Sequence, residues 1–73
     1  MNIPSLNAKQ LIRILVKKGF VQARQSGSHI IFKHPDGRRT TVPFHSSKDM
    51  GTGLLRQIMK DAGITSEDIM KFK

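Results

Sequence analysis

Residues 20–44 read FVQARQSGSHIIFKHPDGRRTTVPF, and the fold is decided by this stretch. After Gly19 the chain alternates with period two, the spacing at which successive side chains face opposite sides of a strand. The alternation predicts a strand over 20–24, a turn at Gln25, Ser26 and Gly27, a second strand over 28–34 and a third over 40–44. Pro35, Asp36 and Gly37 make the turn between the last two strands, Pro fixing one corner and Gly supplying a positive φ. A three-residue loop there puts Ile30 opposite Val42 and Phe32 opposite Thr40. His29, Ile31 and Lys33 then share the other face with Arg39 and Thr41. One face is core; the other carries a histidine and bases.

Upstream of the strands, Asn7 with Gln10 three residues later has the pattern of a capping box and predicts a helix over 8–18. Its apolar stripe is Ala8, Leu11, Ile12, Leu15 and Val16. Lys17 and Lys18 suit the negative end of the helix dipole, and Gly19 ends it. Downstream, 46–53 is a polar loop in which Thr52 caps a second helix, with Leu54, Leu55, Ile58, Met59 and Ala62 as its stripe and Gly63 as its stop. A short last helix follows Thr65, with Glu67 and Asp68 in its first turn and Ile69, Met70 and Phe72 as apolar anchors. The order α-β-β-β-α-α describes one α+β domain over 1–73, a three-stranded antiparallel sheet with helices on one face.

A chain of 73 residues cannot support two cores, which excludes a multi-domain enzyme. The absence of cysteine excludes disulfides, thiolate zinc sites and thiol nucleophiles, and a cytoplasmic location fits best. Apolar runs of three residues are far too short to span a bilayer, and no basic-then-apolar secretory pattern opens the chain. Thirteen bases face five acids, for a formal charge of +8. Residues 1–48 hold nine bases against Asp36 alone, whereas 49–73 balance at four against four. Basic charge concentrated in this way favours a polyanion, because neutralised phosphates release counterions. Nucleic acid is the leading partner; an anionic membrane comes second, and a merely solvated basic surface is the bland alternative.

Three histidines are the side chains suited to proton transfer near neutrality. On the residues alone His29 has two readings. It is an ordinary exposed strand histidine, or it is an imidazole that moves the 2′-hydroxyl or 5′-oxygen proton of RNA while bases stabilise the phosphorane. RNA brings its own nucleophile, so that chemistry needs no metal. His34 flanks the Pro35 turn as a surface residue, and His45 is an accessory candidate. A zinc site from His29, His34 and His45 matches no compact ligand spacing. Arg24, Lys33, Arg38 and Arg39, on or beside the sheet, are candidate phosphate contacts. The four phenylalanines point inward, which argues against base stacking, and Gly51-Thr52-Gly53 is too short for a phosphate loop.

Gly19-Phe20, Arg24-Gln25, Gly27-Ser28-His29, His34-Pro35-Asp36-Gly37-Arg38, Val42-Pro43 with His45, Gly51, Leu54-Leu55, Ile58 and Ala62-Gly63-Ile64 together resemble the HicA family of mRNA interferase toxins. The likeness spans residues 7–72. It departs at Met50, where a leucine is expected. The resemblance implies a fold like the double-stranded-RNA-binding domain, and an endoribonuclease acting on mRNA with His29 as its catalytic histidine; with one imidazole and a substrate that brings its own nucleophile, no metal or cofactor is expected. Gly27 and Ser28 support the motif by position, Gly27 letting the chain turn and Ser28 facing the core side. The family also implies a HicB-type antitoxin that covers the site and sets acidic residues against Lys33, Arg38 and Arg39. The free toxin is expected to be a monomer that does not associate with membrane. A double-stranded-RNA-binding module without cleavage, and a decayed toxin acting through a protein partner, are the alternatives.

Overall fold

The computed structural model describes residues 6–44 and 50–72. In order, its elements are α1 (Ala8–Lys17), β1 (Val21–Ser26), β2 (His29–Lys33), β3 (Arg39–Pro43), α2 (Thr52–Ala62) and α3 (Ser66–Phe72). The strands form one antiparallel sheet in the order β1-β2-β3. The helices cover one face of it, against Ile30, Phe32, Thr40 and Val42, which are all buried. The α+β architecture and the helical layer on one side are therefore as the periodicity predicts.

Local chemistry sets each boundary. The Asn7 side chain accepts from Gln10 N at 2.9 Å and the Gln10 side chain accepts from Asn7 N at 3.0 Å, which closes the capping box of α1. The α1 stripe is rotated from its predicted position: Ile14 is buried, Ile12 is half-buried and Val16 is 57% exposed. α2 begins at Thr52, and the residue before it is Gly51 without a side-chain cap, so Thr52 is not the cap. Leu54, expected in the stripe, is largely exposed. Thr65 caps α3 through its hydroxyl to Asp68 N at 3.1 Å, while the Asp68 carboxylate accepts from Thr65 N at 3.0 Å. Ile69 anchors α3; Met70 does not, at 64% exposure.

The first hairpin is tighter than expected. Ser26 pairs with His29, leaving only Gly27 and Ser28 as the loop, and Gly27 has φ +59. A first turn residue with positive φ twists the chain in the sense the flanking strands require. Ala23 is skipped in the pairing, a bulge between Gln22 and Arg24. In the second hairpin the register is the one the three-residue loop implies: Ile30 opposes Val42, Phe32 opposes Thr40 and Lys33 opposes Arg39.

Residues 34–38 also hold the helix ends. Both α1 and α2 finish with a glycine in the left-handed region, Gly19 at φ +94 and Gly63 at φ +68. Phe20 N reaches back to Leu15 O at 3.0 Å, and Ile64 N reaches back to Met59 O at 2.9 Å. The carbonyl just before each glycine remains unpaired by the helix, as helix ends require. His34 Nε2 donates to Lys18 O at 3.1 Å, and the Arg38 guanidinium donates to Ala62 O. Since a carbonyl only accepts, Nε2 carries a proton, and Nδ1 lies 3.1 Å from Asp36 N and 3.0 Å from Asp36 Oδ1. Asp36 in turn accepts from Arg38 N and Nε at 3.0 and 2.7 Å. Between the two clamps lies buried Phe20, its ring met edge-on by His34 at 5.0 Å and covered by Arg38 at 5.2 Å. Arg38→Ala is expected to lower stability by about 2 kcal/mol, the scale of a hydrogen bond to a charged group, whereas exposed Arg39→Ala changes it by less than about 0.5 kcal/mol. Urea midpoints of the two variants test this, and equal midpoints would refute it.

α3 is tied to α1 by Lys18 Nζ and Asp68 Oδ1 at 2.7 Å. The Lys18 ammonium, followed by the Thr65 backbone N–H, holds the Asp68 carboxyl at about 2, below its ordinary 3.8. Asp36 is also lowered, first by the Arg38 backbone N–H. A carboxyl held low in the fold stabilises it above the unfolded value and loses that contribution as the pH falls. Stability should therefore be level above about pH 5 and decline from about pH 4 to about pH 2. Asp68→Asn should flatten part of the decline in urea midpoints measured against pH, and an unchanged acid slope would refute the assignment.

Candidate functional site

The strand register sorts the open face into three rungs. Ser26, His29 and Pro43 form the first, Arg24, Ile31 and Thr41 the second, and Val21, Lys33 and Arg39 the third. Residues directly opposite in an antiparallel sheet share a face, so all nine lie on the side away from the helices. His29, Arg24, Lys33 and Arg39 are exposed, while Ile31 and Pro43 are half-buried. His29 stands at the tight end of the sheet, where the Gly27 turn enters β2. Its backbone is held there because Ser28 O accepts from Phe44 N at 2.6 Å and Gly27 O accepts from the Gln25 side chain at 3.1 Å. The Ser28 side chain lies in the exposed loop, and not on the core side as its motif position implies.

The candidate bases are not equivalent. Lys33 and Arg39 share the face with His29 but sit four residues along β2, roughly 13 Å away at ~3.3 Å per residue. Arg24 is one rung from His29 across the β1-β2 pairing, a diagonal neighbour within reach of a long side chain. Arg38, grouped with these bases on sequence, has its guanidinium engaged with Ala62 O, Asp36 and Phe20, so it is committed to the fold. Lys33 and Arg39 lie directly opposite each other with no ion pair to a described residue. Like charges so placed are mutually destabilising, and an anion lying over them would relieve the repulsion.

The His29 side chain makes no hydrogen bond or ion pair with a described residue, and the residue is exposed. His34, in contrast, uses both ring nitrogens within the fold. His45 lies outside the described residues. Among the described residues no group of three or more His, Asp or Glu side chains is arranged to hold a metal ion. Nor is any described helix long and apolar enough to cross a membrane. What the arrangement can do chemically is hold a polyanion along the sheet and bring one free imidazole to it.

Over residues 8–64 the chain matches the family model described as HicA toxin of bacterial toxin-antitoxin. The chain belongs to the HicA toxin family. No curated protein matches it. The matched span of this HicA toxin contains α1, the sheet, α2 and Ile64, leaving α3 beyond its end. His29 and both clamp residues of the 34–38 loop fall inside the span. The structural work of His34 and Arg38 carries no signal in the sequence, since their partners are carbonyls 16 and 24 residues away.

Proposed function

We propose that this toxin is an endoribonuclease that cuts mRNA without a metal ion, with His29 as its single general acid–base group. The observation that carries the reading is a free imidazole on a basic, solvent-open sheet face in a chain of the HicA family. In the reaction the RNA 2′-oxygen loses its proton and attacks the adjacent phosphorus. The P–O5′ bond breaks, and the 5′-oxygen takes up a proton. A 2′,3′-cyclic phosphate and a 5′-hydroxyl result, with no net change in protons. His29 carries one of the two transfers and water the other. Arg24 is the base within reach of the non-bridging oxygens as charge gathers on them. Lys33 and Arg39, two rungs from His29, hold flanking phosphates and set the register of the strand. A HicB-type antitoxin would silence the toxin by covering this face, with acidic residues against Lys33 and Arg39.

End-labelled mRNA incubated with the protein in EDTA tests the reading. The parent should yield cyclic-phosphate ends. His29→Ala, exposed and so expected to leave the melting temperature unchanged, should slow cleavage by about 10²-fold or more. Persistent cleavage by His29→Ala, or cleavage that stops in EDTA and returns with Mg²⁺, would overturn the mechanism. Binding of RNA by both proteins with cleavage by neither would leave a non-catalytic RNA-binding module or a decayed toxin.

The bases should separate in the same assay. Arg24→Ala should lower the single-turnover rate at saturating RNA by roughly 10-fold or more, as expected when charge stabilisation at a developing oxyanion is lost. Lys33→Ala and Arg39→Ala should instead weaken RNA binding and each reduce its salt slope by about 1. An Arg24 variant that loses affinity alone would return Arg24 to the flanking contacts.

A further inference from the structure

α1 presents two parallel rows to solvent. Lys9, Arg13 and Lys17 recur every four residues and are all exposed, forming a basic row. Ile12 and Val16 form an apolar row beside it, half-buried and 57% exposed respectively. The rows border a groove of about 340 Å³ lined by Ile12, Arg13, Val16 and Lys17. No acidic residue lies on α1, and none of the three bases has an ion pair to a described residue. The core-facing side of α1 is occupied by Ala8, Leu11, Ile14 and Leu15, with half-buried Ile12 packed at its edge, so the basic row and the outer side chain of Val16 are surplus to the fold. They also face away from His29, because α1 packs on the covered side of the sheet.

We infer that this outward face of α1 is a second docking surface, for an amphipathic segment of the antitoxin that sets an apolar row beside an acidic one. Charge complementarity selects the occupant: three uncompensated bases in line with an apolar groove suit acidic and apolar side chains alternating along a partner helix. A nucleic-acid backbone would neutralise the bases and leave Val16, with the open edge of Ile12, in water. A lipid surface would gain only two apolar side chains, too little area for the anchoring that amphipathic helices achieve. The inference rests on the family's pairing with an antitoxin and not on cleavage by His29. It assigns the antitoxin two contacts, one over the sheet and one over α1, which a single rigid patch could not make together.

The test measures affinity of a purified HicB-type antitoxin for the parent, Val16→Asp and the double variant Arg13→Gln with Lys17→Gln. A 20-base-pair RNA duplex and vesicles containing phosphatidylglycerol serve as comparison ligands. Val16→Asp is expected to weaken antitoxin binding by roughly 10-fold or more, as for an anchor in an interface, with RNA affinity within about 3-fold of the parent. The double variant is expected to slow association and lessen its salt dependence. Melting temperatures equal to the parent's confirm folding, and Val16→Ser replaces Val16→Asp if that variant melts early. Unchanged antitoxin affinity in both folded variants would overturn the inference. So would antitoxin affinity that holds while duplex or vesicle binding falls. The readout is binding alone, so a failure of the ribonuclease reading at His29 would leave this result intact and separately visible.

Discussion

Two carbonyl oxygens, Lys18 O and Ala62 O, hold the arrangement on which the remainder of the molecule depends. Each is the last acceptor before a helix-ending glycine, and each is taken by a side chain from the same short loop, His34 in one case and Arg38 in the other. The glycines are required twice over. They adopt a left-handed backbone, and a Cβ on Gly19 would stand 2.9 Å from His34 Nε2, with one on Gly63 2.7 Å from the Arg38 guanidinium. The close approach is what lets each side chain reach its carbonyl. The loop that turns β2 into β3 is thereby fixed to the ends of α1 and α2, and the sheet is fixed to the helical layer.

That constraint reaches the candidate site through the register. Because His34 and Arg38 must point to the helix ends, the residues just inside them, Lys33 and Arg39, pair and face outward. Alternation then puts Ile31 with Thr41 and His29 with Pro43 on the same open face, and Phe32 and Ile30 in the core. A one-residue slip would send every one of these side chains to the other face. The Ala23 bulge adjusts β1 only beyond Arg24, so the rung that brings Arg24 near His29 is set by the Gly27 hairpin. β1 is an edge strand paired with β2, and all six of its residues are exposed, which leaves that side of the face open to a long ligand.

Local signals were legible in the sequence where local chemistry decides the outcome. The Asn7–Gln10 capping box, the Pro35–Gly37 turn with its register, and the glycine stops at 19 and 63 all depend on residues within a few positions of one another. Where neighbours far along the chain decide, reading failed in small and intelligible ways. Both Ile14 and Val16 are apolar, and only the direction from which the sheet and α3 approach α1 selects Ile14 for the core. Met70 and Leu54 extend apolar patterns into solvent for the same reason. In the site, His29 and its face followed from alternation, but sequence cannot separate Arg38 from Arg39. One neighbour faces a carbonyl 24 residues downstream and the other faces water.

The open face also limits how catalysis could be achieved there. Charges in bulk water interact about twentyfold more weakly than in a dry interior, so exposed bases give an oxyanion little help until solvent is displaced. Arg24, His29, Lys33 and Arg39 are all exposed, so in the proposed reaction the enclosing surface would be the RNA itself. A strand lying across Lys33, Arg39 and Arg24 would exclude water from His29 as it binds, coupling affinity for the polyanion to the strength of each charge in the site. The repulsion between Lys33 and Arg39 would work in the same direction, because a phosphate bound over the pair would relieve it. In such a design binding energy distributed along the strand would substitute for a preformed pocket, and under the proposed reaction one imidazole would be enough because the nucleophile would belong to the substrate.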